Sequence, residues 1–139
     1  MSIAQVRNKA DLEYIQTALA ALDIEYATPA HAAQDYKNKM IRLYALKDNG
    51  RLVAVCSIVP DTTYHYNAIK RLVVLNPADR GKGYAKKLVA AVIRRQVGAC
   101  GYTPWEDNKP MQKMLASLGF KYQYNFNNFW TFWKITLDK

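Results

Sequence analysis

The residues Arg80-Gly81-Lys82-Gly83-Tyr84-Ala85 interleave cations with glycines. An apolar run from Ala68 to Leu75 leads into them through Asn76-Pro77-Ala78-Asp79, and a helix-forming run from Lys86 to Val97 leads out. A strand, a basic glycine loop and a helix start together suit phosphate, because loop amides and the unpaired N–H groups of the first helical turn point at concentrated negative charge. Gly81 and Gly83 would let backbone approach a ligand where a Cβ would collide. The plainer reading is a strand-to-helix turn that merely uses glycine. Charge placement bears on the choice. The chain carries a formal charge of +9, from 20 Lys and Arg against 11 Asp and Glu. Between Lys70 and Arg95 stand eight basic residues and the acid Asp79. Lys87, Arg94 and Arg95 suit a solvated helix face. Arg80, Lys82 and Lys86 bracket a helix N-terminus, where the macrodipole disfavours cations, and a bound anion would offset that conflict.

The rest of the chain must position this loop. Ser2 to Arg7 predicts a short strand, and Asn8 caps a helix over Lys9 to Leu22 with Leu12, Ile15, Leu19 and Leu22 in one stripe. Thr28-Pro29 opens a second helix to about Lys39, whose alanine-rich face predicts a loosely held, mobile element. Ile41 to Lys47 and Arg51 to Val59 read as strands joined by the tight turn Asp48-Asn49-Gly50. The second is apolar on both faces, which predicts a central strand covered on both sides. Pro60 to Thr63 turns the chain into a long strand, Tyr64 to Leu75. The following helix buries Ala85, Leu88, Val89, Val92 and Ile93, with Gly98 as its C-cap. A strand over Ala99 to Trp105, a helix over Lys109 to Ser117 and a hairpin of Phe120 to Phe126 with Phe129 to Leu137 complete the order β-α-α-β-β-β-α-β-α-β-β. The strand-loop-helix-strand centre implies a parallel crossover within an otherwise antiparallel sheet. At 139 residues, half of them hydrophobic, the chain reads as a single domain spanning 1–139.

Two familiar phosphate devices fail on spacing. A dinucleotide fingerprint needs a third glycine, and a P-loop needs Ser or Thr after the lysine where this chain has Gly83. A third comparison fits. Arg80-Gly81-Lys82-Gly83-Tyr84-Ala85 matches the Arg/Gln-x-x-Gly-x-Gly/Ala signature of the GNAT superfamily of N-acetyltransferases. Leu72-Val73-Val74-Leu75-Asn76-Pro77 resembles the strand and proline turn before that signature. Asn108 and Leu118-Gly119-Phe120 resemble the family's later block. The resemblance spans most of the chain and is weakest before Ile41.

The resemblance implies an α/β (α+β) fold: a mixed, mostly antiparallel sheet of six to seven strands with helices on both faces. It implies an acyl-CoA-dependent N-acyltransferase that moves acetyl from acetyl-CoA to a primary amine by direct attack in a ternary complex. Backbone amides of Arg80, Gly81, Lys82, Gly83, Tyr84 and Ala85 would cradle the pyrophosphate of coenzyme A. The strand backbone at Val73 and Leu75 would pair with pantetheine, and an N–H there could polarise the thioester carbonyl. Asn108 would hydrogen-bond the pantetheine arm, serve as a helix N-cap, or both. The pattern breaks at Leu115, where many members carry the tyrosine that protonates the departing thiolate. Tyr84, Tyr102 and Tyr122 are the candidate replacements, and Tyr122 joins His65 and Glu106 as the candidate catalytic residues. For the general base, His65 is favoured by its ability to exchange protons near neutral pH. Glu106 and Asp107 lie beside the expected cleft, His31 reads as incidental, and Cys100 reads as an inert apolar thiol.

The basic balance leaves open a nucleic-acid or tRNA-directed role, and Leu115 leaves open a non-catalytic acyl-CoA-binding domain. No metal-ligand spacing is present. Cys56 and Cys100 read as reduced thiols of a cytoplasmic protein. The N-terminus lacks the apolar segment of a signal peptide, and no apolar run reaches membrane-spanning length. Aromatic residues on both faces of the last strand fit either full burial or a homodimer contact.

Overall fold

The computed structural model describes residues 1–61, 65–127 and 129–137. Tyr64, the expected start of the long strand, Thr63 at the end of the preceding turn, and Asn128 in the closing hairpin's turn lie outside the described residues. Strands β1 (Ser2–Gln5), β2 (Arg42–Asp48), β3 (Arg51–Asp61), β4 (Tyr66–Val74), β5 (Gly98–Tyr102), β6 (Lys121–Phe126) and β7 (Trp130–Leu137) form one seven-stranded sheet in the order β1-β2-β3-β4-β5-β7-β6. The helices are α1 (Lys9–Leu22), α2 (Pro29–Lys37), α3 (Tyr84–Arg94) and α4 (Lys109–Ser117). β4 and β5 pair in parallel, while the other neighbours are antiparallel. The expected mixed sheet with a parallel crossover is what the chain builds.

β3 is central because it is apolar on both faces, and Leu52 through Ile58 are all buried. One face packs α1 and α2: Leu12, Ile15, Leu19 and Ala32 meet Leu43, Ala45, Val55, Val73 and Leu75. The other packs α3 and α4: Leu88, Val89, Val92 and Leu115 meet Tyr44, Ala54, Cys56, Ile58, Ile69 and Leu72. Two independent apolar layers therefore hold the sheet rigid between helices.

Helix starts follow the capping chemistry. Asn8 accepts from Asp11 N–H at 2.8 Å, and Thr28 and His31 form a reciprocal capping box on α2. α2 is not the loosely held element that its alanine face predicts. Besides Ala32 it buries Asp35, which ties it to the sheet interior. β3 runs two residues past Val59, through Pro60 and Asp61, paired to Asn67 and Tyr66. α3 ends at Arg94, and Gly98 opens β5 in a left-handed conformation instead of capping the helix. Gly101 within β5 has a packing reason. A Cβ there would lie 2.7 Å from a Tyr66 ring carbon and 2.8 Å from one of Phe132. Among the described residues no helix is long and apolar enough to cross a membrane.

Candidate functional site

The parallel pairing of β4 and β5 is brief: Tyr66 with Ala99, Asn67 with Cys100, Ala68 with Gly101. Beyond Ala68 the strands part, and a cleft of about 530 Å³ opens at their C-terminal ends. Its walls come from Ile69–Leu72 of β4, Tyr102 at the end of β5 and Thr103 to Trp105 beyond it, Asn108 capping α4 and Met111 within it, and Glu25, Tyr26 and His31 from the α1–α2 region. The cleft sits where open parallel strands generally receive ligands, outside their carboxyl ends.

Arg71 makes the opening abrupt. It has φ +54, and the β3–β4 register slips at the same place, between Val55 and Ser57. Below this bulge Lys70 pairs with Ser57; above it Val73 pairs with Val55. The bulge corrects one expectation. Leu75 N–H donates to Val53 O at 2.9 Å, so it faces β3. Strand alternation directs Val73 the same way. Neither Val73 nor Leu75 offers its backbone to the cleft side. The residue between them, Val74, turns its backbone away from β3 by the same alternation.

The strand leads into a 3-10 turn, Pro77–Asp79, and then into the glycine loop. Gly81 and Gly83 both take left-handed φ, +81 and +80. That backbone conformation by itself favours glycine, and a Cβ at either position would meet nothing of the protein within 4 Å. Gly83 is the N-cap of α3 and makes no side-chain cap hydrogen bond. Among the described residues none accepts from the N–H groups of Gly81 to Lys86. Arg80 N–H is already committed to Pro77 O at 3.2 Å. A left-handed turn followed by an uncapped helix start forms a concave set of donors suited to an anion.

Asp79 fixes the base of this loop. It is 3% exposed, takes Arg51 Nη1 at 2.7 Å, and takes Lys82 Nζ at 3.1 Å. These hydrogen bonds, Arg51's first, hold its carboxyl down at about 2. Lys82 is thus engaged within the protein, while Arg80 and Lys86 have no acid within ion-pair distance among the described residues. Tyr84 is likewise structural: it is buried, and its hydroxyl donates to Asp48 Oδ2 at 2.5 Å, locking the start of α3 to the β2–β3 hairpin.

Asn108 caps α4, its side-chain oxygen accepting from Met111 N–H at 3.2 Å, and it also lines the cleft. Tyr102 lines the cleft as well, and burial, with smaller contributions from Tyr26 and Cys56, pushes its phenol upward and keeps it protonated. Burial raises the pKa of Tyr26 too, with the Arg80 charge opposing, which places this phenol within electrostatic reach of the glycine loop. Leu115 is fully buried in the core beneath. Trp105 and Trp130 stack with ring centroids 3.8 Å apart and stand at the cleft.

The remaining expected catalytic residues are not brought together. His65 lies at the N-terminal end of β4, beside Pro60, Asp61, Val97 and Ala99. A strand advances roughly 3.3 Å per residue, so His65 sits on the order of 20 Å along β4 from the bulge. Glu106 and Asp107 belong to the α4 approach, where their main chains bond Phe129 and Lys109, and neither lines the cleft. Tyr122 is exposed on the edge strand β6, its hydroxyl donating to Asn125 at 2.6 Å. His31, which reads as incidental, does reach the cleft, and its Nδ1 accepts Thr28 N–H at 3.1 Å. Cys56 and Cys100 are both buried, and burial pushes the Cys56 thiol up to about 12.

Comparison with known proteins converges on this arrangement. The structure resembles spermidine N-acetyltransferase SpeG of Vibrio cholerae (F149A mutant) with a TM-score of 0.76 at 11% identity, covering 98% of this chain and 95% of that one. The ribosomal-protein-S18-alanine N-acetyltransferase of Escherichia coli gives 0.74 at 15% identity, over 99% and 94%. The yncA protein of Salmonella typhimurium, solved with its cofactor acetyl-CoA, gives 0.74 at 20% identity, over 99% and 94%. At such identities these likenesses establish the fold. No curated protein matches the sequence. The acetyltransferase (GNAT) family profile, however, matches residues 6–120, which is most of the chain. The protein therefore belongs to the GNAT family of acetyltransferases, whose acyl donor is acetyl-CoA.

Proposed function

We propose that this acetyltransferase transfers acetyl from acetyl-CoA to the primary amine of a small cationic acceptor across the cleft between β4 and β5. The observation that carries the proposal is continuity. The open edge of β4 passes through one short 3-10 turn into the uncapped glycine loop, so a single line of backbone joins cleft to phosphate site with unpaired donors at its two ends. That line fits a pyrophosphate joined to an extended amide-bearing arm. When bound, acetyl-CoA supplies an activated thioester carbonyl.

The N–H groups of Gly81 to Ala85 would take the phosphates, aided by the Arg80 and Lys86 charges. Val74 would pair with the amide arm, and Asn108 would donate to it through the nitrogen that its capping bond leaves over. A bulge N–H would draw charge from the thioester oxygen. Tyr102, on the cleft wall, is the phenol that would protonate the departing thiolate in place of one at Leu115. Glu25 at the mouth is the acid that can take the amine's proton through solvent.

The acceptor class follows from the opposite wall. Stacked Trp105 and Trp130, with Tyr26 and Glu25 nearby, offer aromatic faces and a negative charge, chemistry suited to an alkylammonium. One structural neighbour is named for spermidine and another for a ribosomal-protein alanine, and the aromatic-acid wall favours the former kind of acceptor. Calorimetry with acetyl-CoA and thiol release across an amine panel including spermidine test this reading. Absence of binding at millimolar acetyl-CoA, or binding with no thiol release from any amine, would overturn it.

A further inference from the structure

We propose that Asp35 and Arg71, braced by Ser57, are positioning residues: their buried contact holds the β4 bulge in its left-handed shape and so aims the strand's N–H groups at the donor thioester. This rests on the donor-site reading above.

The bulge needs holding. A left-handed conformation costs an L-residue roughly 1–2 kcal/mol, and arginine lacks the short side chain with which Asn or Asp relieves it. Such strain persists where the surroundings over-determine it. Here they do so from three elements. Asp35 of α2 is 2% exposed and accepts from Ser57 Oγ of β3 at 2.6 Å. The same carboxylate oxygen lies 3.3 Å from Arg71 Nε of β4. Ser57 borders the register slip, Arg71 is the left-handed residue, and Lys70, Arg71 and Leu72 line the cleft. The strained residue, its anchor and the site thus coincide.

Stability alone gives a poor account of the pair. Desolvating two charges is costly, and apolar replacement of a buried ion pair is often neutral or stabilising. The contact is also no aligned hydrogen bond: Asp35 Oδ1 and Arg71 Nε each lack a hydrogen-bond partner among the described residues. Charge more than direction draws Arg71 back against α2, which sets the backbone on either side of it.

The test compares affinities for acetyl-CoA and for free CoA, which has a thiol in place of the acetyl thioester and is otherwise the same. Loss of one carbonyl hydrogen bond is worth about tenfold in affinity. Asp35→Asn and Arg71→Met should weaken acetyl-CoA about tenfold more than they weaken CoA, and Arg71→Lys should restore part of that preference. The double variant Asp35→Leu/Arg71→Met should regain thermal stability without regaining acetyl-CoA preference. Single variants with unchanged preference, or a double variant that recovers preference along with stability, overturn the clamp. Failure of the wild-type protein to bind either form overturns the donor site itself, a separable outcome.

Discussion

Replacing Gly83 separates two reasons for a glycine. If glycine is needed so that a ligand can approach, any Cβ should be harmful. If it is needed for its backbone conformation, harm should follow each residue's tolerance of positive φ. The second rests on φ, which is +80, and since a Cβ would meet no protein atom within 4 Å, no clash inside the protein adds to it. For valine the left-handed region costs roughly 1–2 kcal/mol, at the high end for a β-branched residue. Either the loop keeps its shape and folding stability falls by that amount, or the loop relaxes and the donor cradle is lost. In the second case only a fraction of molecules remain competent, and the apparent Kd for acetyl-CoA rises roughly 5- to 30-fold, since 1.4 kcal/mol is a factor of ten. Asparagine visits the left-handed region readily, so Gly83→Asn should lose less than threefold. Calorimetry on wild type, Gly83→Asn and Gly83→Val, with melting curves beside it, gives the order. An asparagine variant as impaired as the valine variant would refute the conformational argument and point to ligand contact.

Four further outcomes follow from the geometry. Because Asp79's folded pKa is depressed to about 2, its contribution is full above the ordinary carboxylate range and lost as pH falls from about 4 toward 2. Melting temperature should therefore fall across that window in the wild type by more than in Asp79→Asn. Gly101→Ala forces a methyl against the Tyr66 and Phe132 rings and should destabilise by roughly 1–3 kcal/mol, with Phe132→Leu recovering part of the loss in thermal unfolding. Tyr102→Phe should lower kcat at least tenfold with KM for acetyl-CoA little changed, the general-acid signature, and an unchanged kcat would remove Tyr102 from that role. His65→Ala, far from the cleft, should keep kcat within twofold of wild type.

The parts of this structure that local chemistry dictates are legible in the residue order. Helices over Lys9–Leu22 and Lys109–Ser117 have the predicted bounds, because Asn8 and Asn108 cap them and apolar spacing defines their faces. The left-handed glycine loop at the start of α3 is marked by its own glycines. What depends on register is not legible. A bulge at Arg71 leaves no compositional trace, since arginine is an unlikely residue to predict at positive φ, and without it the parity of Val73, Val74 and Leu75 comes out reversed. His65 has the right chemistry at the wrong end of its strand, a matter of which way β4 points relative to β5. Glu25, Tyr26 and His31 reach the cleft only because the α1–α2 region folds over it, a long-range outcome that periodicity does not encode.

The brief union of β4 and β5 bears on how the molecule breathes. The sheet is continuous on either side, but among the described residues this seam is stitched at Tyr66, Asn67 and Ala68 alone. The seam divides β1–β4 from β5–β7, so the second group is the natural unit for sub-global opening, with less free energy holding it than global unfolding requires. A ligand lying along the unstitched edge would act as the missing strand and close that opening. Amide hydrogen exchange should then slow in β5 and β7, strands the phosphate loop never touches, when acetyl-CoA binds.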